Sequence, residues 1–295
     1  DWAKQRLLEL YASGLIQQAY GLTSDSVPTY LSPGSMVTEA SYIVFGIDTD
    51  GDGVADIIKA RNGTTGKVEF SGTDAAAVIQ SAIDTLYSSD GGTVLLKPGL
   101  YVIDSTITVR EGVNLIGEKS NEFLWDGKPI FKYGVTLRTS GSIDLLKVSD
   151  HCVVENLNLH GNYTGLRAIV AENAGKFILR NLYISDFMDT AIYFKNVLQV
   201  LCEKIYVITQ GRAIDTTEGQ CDNVQFNTCW FLSKAAERIS GNGLTFVSCD
   251  FSHTDEPPEG YGMYICGFSA VNFIGCIFEE SVVQIHTLLE YTPDE

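Results

Sequence analysis

The C-terminal half of the chain repeats one alternation of apolar and polar residues. Six eight-residue segments share apolar residues at positions one, three, six and eight. They begin at Cys152, Phe177, Val200, Val224, Leu244 and Val271, so successive starts lie 25, 23, 24, 20 and 27 residues apart. Alternation with period two predicts β-strands, and a repeat of this length predicts a solenoid in which each unit forms one coil.

The sixth position is the clearest column of this repeat. It holds Leu157, Leu182, Ile205, Cys229, Cys249 and Cys276. Equal positions of neighbouring coils stack at the strand spacing of about 4.8 Å, so we expect the column to be buried. We expect its three cysteines to be free thiols that act as small apolar groups. A ladder of disulfides is the alternative, although three residues in a row cannot all pair.

A second, weaker track follows these segments. It reads Arg-Ala-Ile-Val, Thr-Ala-Ile-Tyr, Arg-Ala-Ile-Asp and Glu-Arg-Ile-Ser from residues 167, 190, 212 and 237. Each coil therefore carries at least two short strands. Earlier coils begin near Thr93 and Val113, and the stretch between Glu118 and Gly134 breaks the period, which predicts a loop on the side of the solenoid.

A helix is predicted over residues 73–86, immediately before the first coil. Its apolar face consists of Ala76, Ile79, Ala82, Ile83 and Leu86. Either Thr73 or Asp74 can cap its N-terminus. The first coil of a solenoid exposes its core, so we expect this helix to cover that end of a domain spanning residues 73–295.

Residues 1–72 are predicted to form a separate front module. Apolar residues recur at helical spacing between Trp2 and Tyr20, and the Gly, Ser and Pro residues between Gly21 and Ser35 indicate a linker. Three short runs that favour strands begin at Ser41, Ala55 and Lys67. They predict a small β-meander.

The segment from Thr73 to Glu118 resembles a known signature. Its order is the helix, then Gly-Gly-Thr-Val, Lys-Pro-Gly-Leu-Tyr-Val-Ile and Val-Asn-Leu-Ile-Gly-Glu. This order resembles the N-terminal signature of the pectate-lyase-like superfamily, which includes family 28 glycosidases, pectate lyases and phage tailspikes. The resemblance implies an all-β, right-handed parallel β-helix, and it does not select an activity. The NTD, DD, GHG and RxK motifs of family 28 glycosidases are not intact in this sequence.

A loop in the front module carries regularly spaced aspartates. Asp48, Asp50 and Asp52 satisfy the pattern DxDxDG, and Asp56 follows at the ninth position. Carboxylates at this spacing can converge on a hard cation such as Ca²⁺. Position twelve, where an EF-hand loop has Glu, is Lys59. Asp and Gly also favour plain hairpin turns, so a calcium site and a simple turn are equally supported.

Position seven of each coil is expected to point outward, because positions six and eight point inward. It holds Asn158, Tyr183, Tyr206, Trp230, Asp250 and Ile277. The aromatic residues of three consecutive coils predict a stripe on one outer face, which can bind sugar rings or a partner. Aromatic stacking that merely stiffens an exposed sheet is the alternative.

Position two is also expected to point outward, and it is apolar in the earlier coils. Val153, Ile178 and Leu201 occupy it there, and polar residues occupy it in the later coils. An apolar outer strip needs a cover, which the front helix or a second copy of the chain can supply. We therefore expect a homo-oligomer, most simply a trimer.

Polar residues gather in the turns after position eight. We consider Asp186, Asp189 and Asp215 as candidate catalytic carboxylates, because glycoside hydrolysis needs two carboxylates about 5 to 10 Å apart. Arg212 and His253 are predicted to help the stripe bind a glycan. The alternative is an ordinary solvated edge, since the turns of every soluble solenoid are polar.

Composition narrows the choice of partners. Acidic residues outnumber basic ones 37 to 20, which gives a net charge of −17 and disfavours nucleic acid as a partner. The sequence has no apolar run of the length that predicts a membrane span. Its seven cysteines show neither a CxxC pair nor the spacing of a Cys/His metal site.

Three functions fit these features. The favoured one is an extracellular, cell-surface or virion attachment protein, similar to a tailspike or fibre, whose β-helix binds a polysaccharide or cell-surface glycan. The second is a polysaccharide-cleaving hydrolase or lyase. The third is a structural coat or filament subunit.

Overall fold

The computed structural model describes residues 40–118, 134–253, 262–266, 270–279 and 283–286. The predicted front helix, linker and side loop therefore lie outside the described residues. The described chain is a right-handed parallel β-helix of about seven turns, as the resemblance implied. The sequence-based prediction of the fold is confirmed.

The described chain begins with the predicted meander. Strands β1 (Tyr42–Ile47), β2 (Ile57–Asn62) and β3 (Val68–Gly72) pair antiparallel in that order. β1 also pairs in parallel with β4 (Gly92–Leu96), so the meander extends a sheet of the solenoid. The predicted domain boundary at residue 72 stays a prediction.

Helix α1 (Ala75–Tyr87) separates the meander from the first coil. Asp74 is its N-cap, because its side chain accepts a hydrogen bond from the N–H of Ala77 at 2.9 Å. Such a cap stabilises a helix by about 1 kcal/mol. Ile79, Ala82 and Ile83 of the predicted apolar face are fully buried in the core that continues into the coils. The predicted cap of the solenoid is thus present.

The coils stack their strands into three faces. The first face contains β4, β7 (Val113–Gly117), β16 (Cys221–Asn227), β19 (Leu244–Val247) and β22 (Val271–Ile274). The second contains β5 (Gly99–Ile103), β8 (Val135–Thr139), β17 (Trp230–Ser233), β20 (Asp250–His253) and β23 (Ile277–Glu279). Three long strands run across both of these faces: β10 (Val153–His160), β12 (Ile178–Ser185) and β14 (Val197–Ile208).

The third face is a separate parallel sheet. It contains β6 (Ile107–Val109), β9 (Leu146–Val148), β11 (Arg167–Glu172), β13 (Thr190–Lys195), β15 (Arg212–Asp215), β18 (Glu237–Ile239), β21 (Met263–Cys266) and β24 (Val283–His286). The predicted second track lies here, with one correction. Arg238 pairs with Asp215, so Glu237 stacks on Ile214 and lies two residues from the expected register.

The sixth column is buried as predicted. Its first five members are at most 2% exposed. The sixth, Cys276, lies in the last of the six repeats and is partly buried. The six cysteines whose side chains are described are free, and the thiols of Cys229 and Cys249 donate to the carbonyls of Asn227 and Phe226, each at 3.4 Å. Burial raises the pKa of Cys229 well above its ordinary value, so this thiol stays protonated and apolar.

Each of the six repeats bends at a residue with left-handed backbone conformation. Position five has φ between +51° and +63° in all six repeats: Asn156, Asn181, Lys204, Thr228, Ser248 and Gly275. Five of these are not glycine, which is unusual for this conformation. The bend separates the first face from the second and resets the alternation, which explains why positions three and six both point inward.

Candidate functional site

The outward column of the second face contains the predicted aromatic stripe. The register places Tyr183 beside Tyr206, and Tyr206 beside Trp230. The rings of Tyr206 and Trp230 meet edge to face, with centroids 6.5 Å apart. Tyr206 is 36% exposed, and the other two residues are half-buried. The stripe therefore exists as a contiguous outer surface, and its binding role stays a prediction.

The stripe is bounded by polar residues in the adjoining coils. Asn158 pairs beside Tyr183, and Asp250 pairs beside Trp230. Asn158 was expected to be an outward residue, but it is only 1% exposed. Its amide donates a hydrogen bond to the carbonyl of Val135 at 3.0 Å, which satisfies a backbone group of the preceding coil. Position seven is thus accessible in some coils and not in others.

Asp186 lies in the turn after β12, next to the stripe. Its Oδ2 is 3.2 Å from Nδ1 of His160, and the same nitrogen is 3.0 Å from Oγ of Ser185. The phenol of Tyr163 also favours the charged form of the carboxylate. Burial by itself raises the pKa of Asp186, but the contacts with these three residues outweigh burial and lower the pKa below its ordinary value. Asp186 is therefore ionised near neutral pH.

Asp189 and Arg212 are neighbours through their backbones. The N–H of Arg212 donates a hydrogen bond to the carbonyl of Asp189 at 2.7 Å. The Asp189 carboxylate is exposed and accepts from the Thr190 hydroxyl at 3.4 Å. The charge of Arg212 acts on the buried Glu237. The predicted roles of Asp189 in catalysis and of Arg212 in glycan binding stay predictions.

Asp215 lies on a different face from Asp186. It ends β15 on the third face, beside Tyr193 of the preceding coil. Its Oδ1 accepts hydrogen bonds from the N–H of Thr217 at 2.9 Å and from the Thr217 hydroxyl at 2.6 Å. In the described chain no contact joins Asp215 to Asp186 or Asp189. A catalytic role for any of the three stays a prediction.

Glu237 is a buried carboxylate that the sequence did not single out. It is 0% exposed, and its Oε2 accepts from the N–H groups of Ala213 and Ile214 at 2.9 and 3.0 Å. Its Oε1 accepts from the Ser233 hydroxyl at 2.6 Å. Burial raises its pKa to about 7, although these donors and the charge of Arg212 act in the opposite direction. Substrate cannot reach a side chain buried to this degree, so its role is structural.

The aspartate loop holds three of its four predicted ligands together. One carboxylate oxygen of each of Asp48, Asp50 and Asp56 lies within 4.8 Å of the others. Asp52 is outside this group, and its Oδ1 accepts from the N–H of Val54 at 2.8 Å. Hydrogen bonds from the N–H groups of Gly51 and Gly53 lower the pKa of Asp48. These bonds fit the plain turn and the convergence fits a cation, so calcium binding stays a prediction.

The remaining predicted features are described only in part. β20 places His253 beside Ser233, but the His253 side chain lies outside the described residues. Val153, Ile178 and Leu201 are in register and each is partly buried, and the oligomeric state stays a prediction. Within the described ranges, no helix has both the length and the apolar character needed to cross a membrane.

Comparison with known proteins identifies the fold alone. No protein-family profile matches the chain, and no match was found among curated proteins. The tailspike protein of Acinetobacter phage vB_ApiP_P1 is 11% identical over 74% of this chain and 43% of its own, with a TM-score of 0.51. A tailspike protein of Acinetobacter baumannii bacteriophage Fri1, a capsular polysaccharide depolymerase, is 14% identical over 70% of this chain and 48% of its own, with a TM-score of 0.47.

A third solved structure, a protein of Geobacillus virus E2, is 12% identical over 82% of this chain and 68% of its own, with a TM-score of 0.47. The present chain spans less than half the length of the two tailspike proteins. At these identities, the likeness to the phage vB_ApiP_P1 tailspike shows a shared parallel β-helix fold.

Proposed function

We propose that the second face binds an extended polysaccharide, and that the protein is an attachment protein of a virion, a cell surface or the extracellular space. The aromatic stripe carries this proposal. Tyr183, Tyr206 and Trp230 succeed one another at the strand spacing of about 4.8 Å, so one long glycan can contact several of them. A phage tailspike shares the fold, so bacterial surface polysaccharides are the first ligands to test.

The stripe is suited to attachment by many weak contacts. One aromatic contact contributes about 0.5–1.5 kcal/mol beyond area burial, so a single face binds weakly. Self-association through the apolar strip of Val153, Ile178 and Leu201 would present several faces at once and raise the avidity. Light scattering at micromolar concentration tests this: a mass near three chains supports the trimer, and a stable monomer contradicts it.

The decisive experiment measures glycan binding and thermal unfolding for the same variants. We expect the wild-type chain to bind at least one bacterial surface polysaccharide on an array, and Trp230→Ala to weaken that binding about five- to tenfold without lowering the unfolding temperature. Tyr87→Ala is the matched control, because Tyr87 is an exposed aromatic on α1. Equal affinity of Trp230→Ala and the wild type would contradict the proposal.

Cleavage of the bound glycan is a second candidate, favoured by the position of Asp186. This ionised carboxylate lies beside the stripe and contacts His160. Reducing-sugar release and the ultraviolet absorbance of unsaturated uronates would reveal a hydrolase or a lyase, and Asp186→Asn should then abolish turnover. Binding without release of either product supports attachment alone.

A further inference from the structure

The turn after β10 presents an aromatic side chain that the repeat pattern did not indicate. Tyr163 is 61% exposed. Asn162 and Tyr163 have consecutive left-handed backbone conformations, with φ of +52° and +57°. Asn tolerates this conformation, but it costs a bulky residue on the order of 1 kcal/mol. Fourteen other non-glycine residues share such a backbone conformation, so the exposure of the Tyr163 ring beside a candidate binding face is the feature that points to a function.

Tyr163 is joined to the next coil through its backbone. Its N–H donates a hydrogen bond to the carbonyl of Asp186 at 3.1 Å, and the charge of the Asp186 carboxylate raises the pKa of its phenol. The turn itself is closed by the bond from the N–H of Gly161 to the carbonyl of Ser185 at 2.7 Å. A side chain at Gly161 would bring its Cβ to 2.5 Å from the Asp186 carbonyl oxygen, so glycine is required there.

The anchored turn adjoins the stripe. Ser185 follows Tyr183 by two residues, so the two lie on the same side of β12, and Asp186 comes next. Burial raises the pKa of Tyr183 to about 12, and the charges of Asp186 and Tyr163 add to this rise. The backbone bond between Tyr163 and Asp186, together with the short chain link from Asp186 back to Tyr183, places the three residues in one patch. This patch is the end of the stripe, because the preceding residue of the column is the buried Asn158.

We infer that Tyr163 and Asp186 form an end subsite of the glycan-binding face, and that this subsite takes an uncharged sugar residue. The inference rests on the proposed function of the stripe. The Tyr163 ring offers a flat face to the C–H side of a sugar, and the Asp186 carboxylate accepts hydrogen bonds from its hydroxyl groups. A uronate would bring a second carboxylate against Asp186, which like-charge repulsion disfavours.

His160 holds the Asp186 carboxylate in place within the proposed subsite. It holds Oδ2 at 3.2 Å, and it pairs along the sheet with Ser185. Arg138 lies beside His160 in the preceding coil and is the group that a uronate would use as its partner. The subsite therefore has a defined rival ligand, and the choice between neutral and acidic sugar can be measured.

Two substitutions at Tyr163 test the subsite on the full chain. Tyr163→Asn removes the ring and keeps a residue that accepts the left-handed conformation, so the fold should be unaffected. Tyr163→Phe keeps the ring and removes the phenol hydroxyl, whose pKa the Asp186 carboxylate raises. For a neutral polysaccharide that binds the wild type, we expect a three- to tenfold loss of affinity in Tyr163→Asn and a smaller loss in Tyr163→Phe, with neither variant unfolding at a lower temperature than the wild type.

The outcomes separate this inference from the function on which it rests. If Tyr163→Asn binds every glycan as tightly as the wild type while Trp230→Ala does not, the end subsite is wrong and the stripe stands. If the wild type prefers uronate-containing polysaccharides and Arg138→Ala removes that preference, the assignment of an uncharged sugar is wrong. If the wild type binds no polysaccharide on the array, the proposed function fails and the subsite fails with it.

Discussion

The second and third faces each carry a tyrosine that points away from the core, and the two tyrosines differ in what covers them. On the third face, Tyr193 is 7% exposed. The guanidinium of Arg167 lies 4.6 Å from the centroid of its ring, and its hydroxyl donates to Glu218 at 2.7 Å. On the second face, Tyr206 is 36% exposed. An outward aromatic residue is thus a candidate for binding only where charged side chains of the same chain leave it accessible.

Charge pairs between neighbouring coils account for the covered surface of the third face. Arg167 donates to both carboxylate oxygens of Asp144, at 2.8 and 2.7 Å. Lys195, in the coil after Arg167, pairs with Glu218 of the following coil at 3.3 Å. Each pair joins residues more than 20 positions apart in sequence and adjacent in the stack. These charged side chains of the third face therefore link neighbouring coils. We expect their substitution to change stability and to leave glycan binding unchanged.

The largest effect is expected at Glu237, inside the third face. Glu237→Ala removes the acceptor for the N–H groups of Ala213 and Ile214 and leaves both buried, which should lower the free energy of unfolding by roughly 3–5 kcal/mol. Hydrogen exchange should show the loss at these two amides. Glu237→Gln is the control, because its amide oxygen can accept both N–H groups while its NH₂ donates to Ser233. Equal stability of the Ala and Gln variants would contradict this account.

The stability of the wild type and that of Glu237→Gln should also depend differently on pH. The pKa of Glu237 is raised from its ordinary 4.5 to about 7 in the folded chain, so its protonated form is favoured by folding. Its contribution to stability is complete below pH 4.5 and is lost as the pH rises through about 7. Wild-type stability should therefore fall over this range relative to Glu237→Gln. Parallel stability curves for the two proteins would show that Glu237 has no raised pKa.

A smaller effect is expected from uncovering Tyr193. Arg167→Ala removes the two bonds to Asp144 and exposes the tyrosine ring, and should lower the free energy of unfolding by roughly 1–2 kcal/mol. Arg167→Lys keeps the charge without the paired geometry and should lose less. Chemical unfolding measures both. A loss of glycan affinity as large as that of Trp230→Ala would erase the distinction between the two faces.

Tyr206 should behave in the opposite way. Tyr206→Ala is expected to weaken polysaccharide binding about fivefold, or about 1 kcal/mol, and to leave the unfolding temperature near that of the wild type. Tyr206→Phe keeps the ring and should bind almost normally. Calorimetric titration and thermal unfolding give the two readouts. A clear drop in unfolding temperature without a change in affinity would mean that the stripe only stiffens the sheet.

The smallest effect is expected at the aspartate loop of the meander, whose carboxylates are also accessible. If Ca²⁺ binds there, it should raise the unfolding temperature slightly, and Asp48→Asn should remove that rise. Asp52→Asn should retain the rise, because Asp52 lies outside the convergent group. Titration of the wild type with Ca²⁺ that shows no heat and no stabilisation would leave the loop as a plain turn.

Burial is the part of this structure that the sequence predicts well. The sixth column must be apolar in every coil, so Leu157 and Cys229 could be placed inside without knowledge of their neighbours, and the cap at Asp74 depends on a few adjacent residues. The bends were not predictable, because Lys204 and Thr228 give no local signal for left-handed backbone. The bend conformation there is imposed by the stacked coils and not by the residue itself.

The candidate site was less predictable because its properties depend on distant residues. Tyr193 and Tyr206 have the same local character, and the difference comes from Arg167 of the previous coil and Glu218 of the next. The expected register of Glu237 was wrong by two residues, because the turn between the second and third faces shortens along the solenoid. Phe231 and Glu237 are six residues apart, whereas Leu159 and Ile169, equivalent in an earlier coil, are ten apart. Tyr163 belongs to a turn outside the repeat.

The left-handed bends have a consequence for how such a chain can change over generations. They recur at position five of all six repeats although the side chains there differ, so a stretch from one bend to the next, such as residues 181–203, has equivalent ends in neighbouring repeats. Duplication or loss of one such stretch would keep the stacking on both sides and change the length of the outer surface by about 4.8 Å. The outer faces of the solenoid could thus become longer or shorter without a new core.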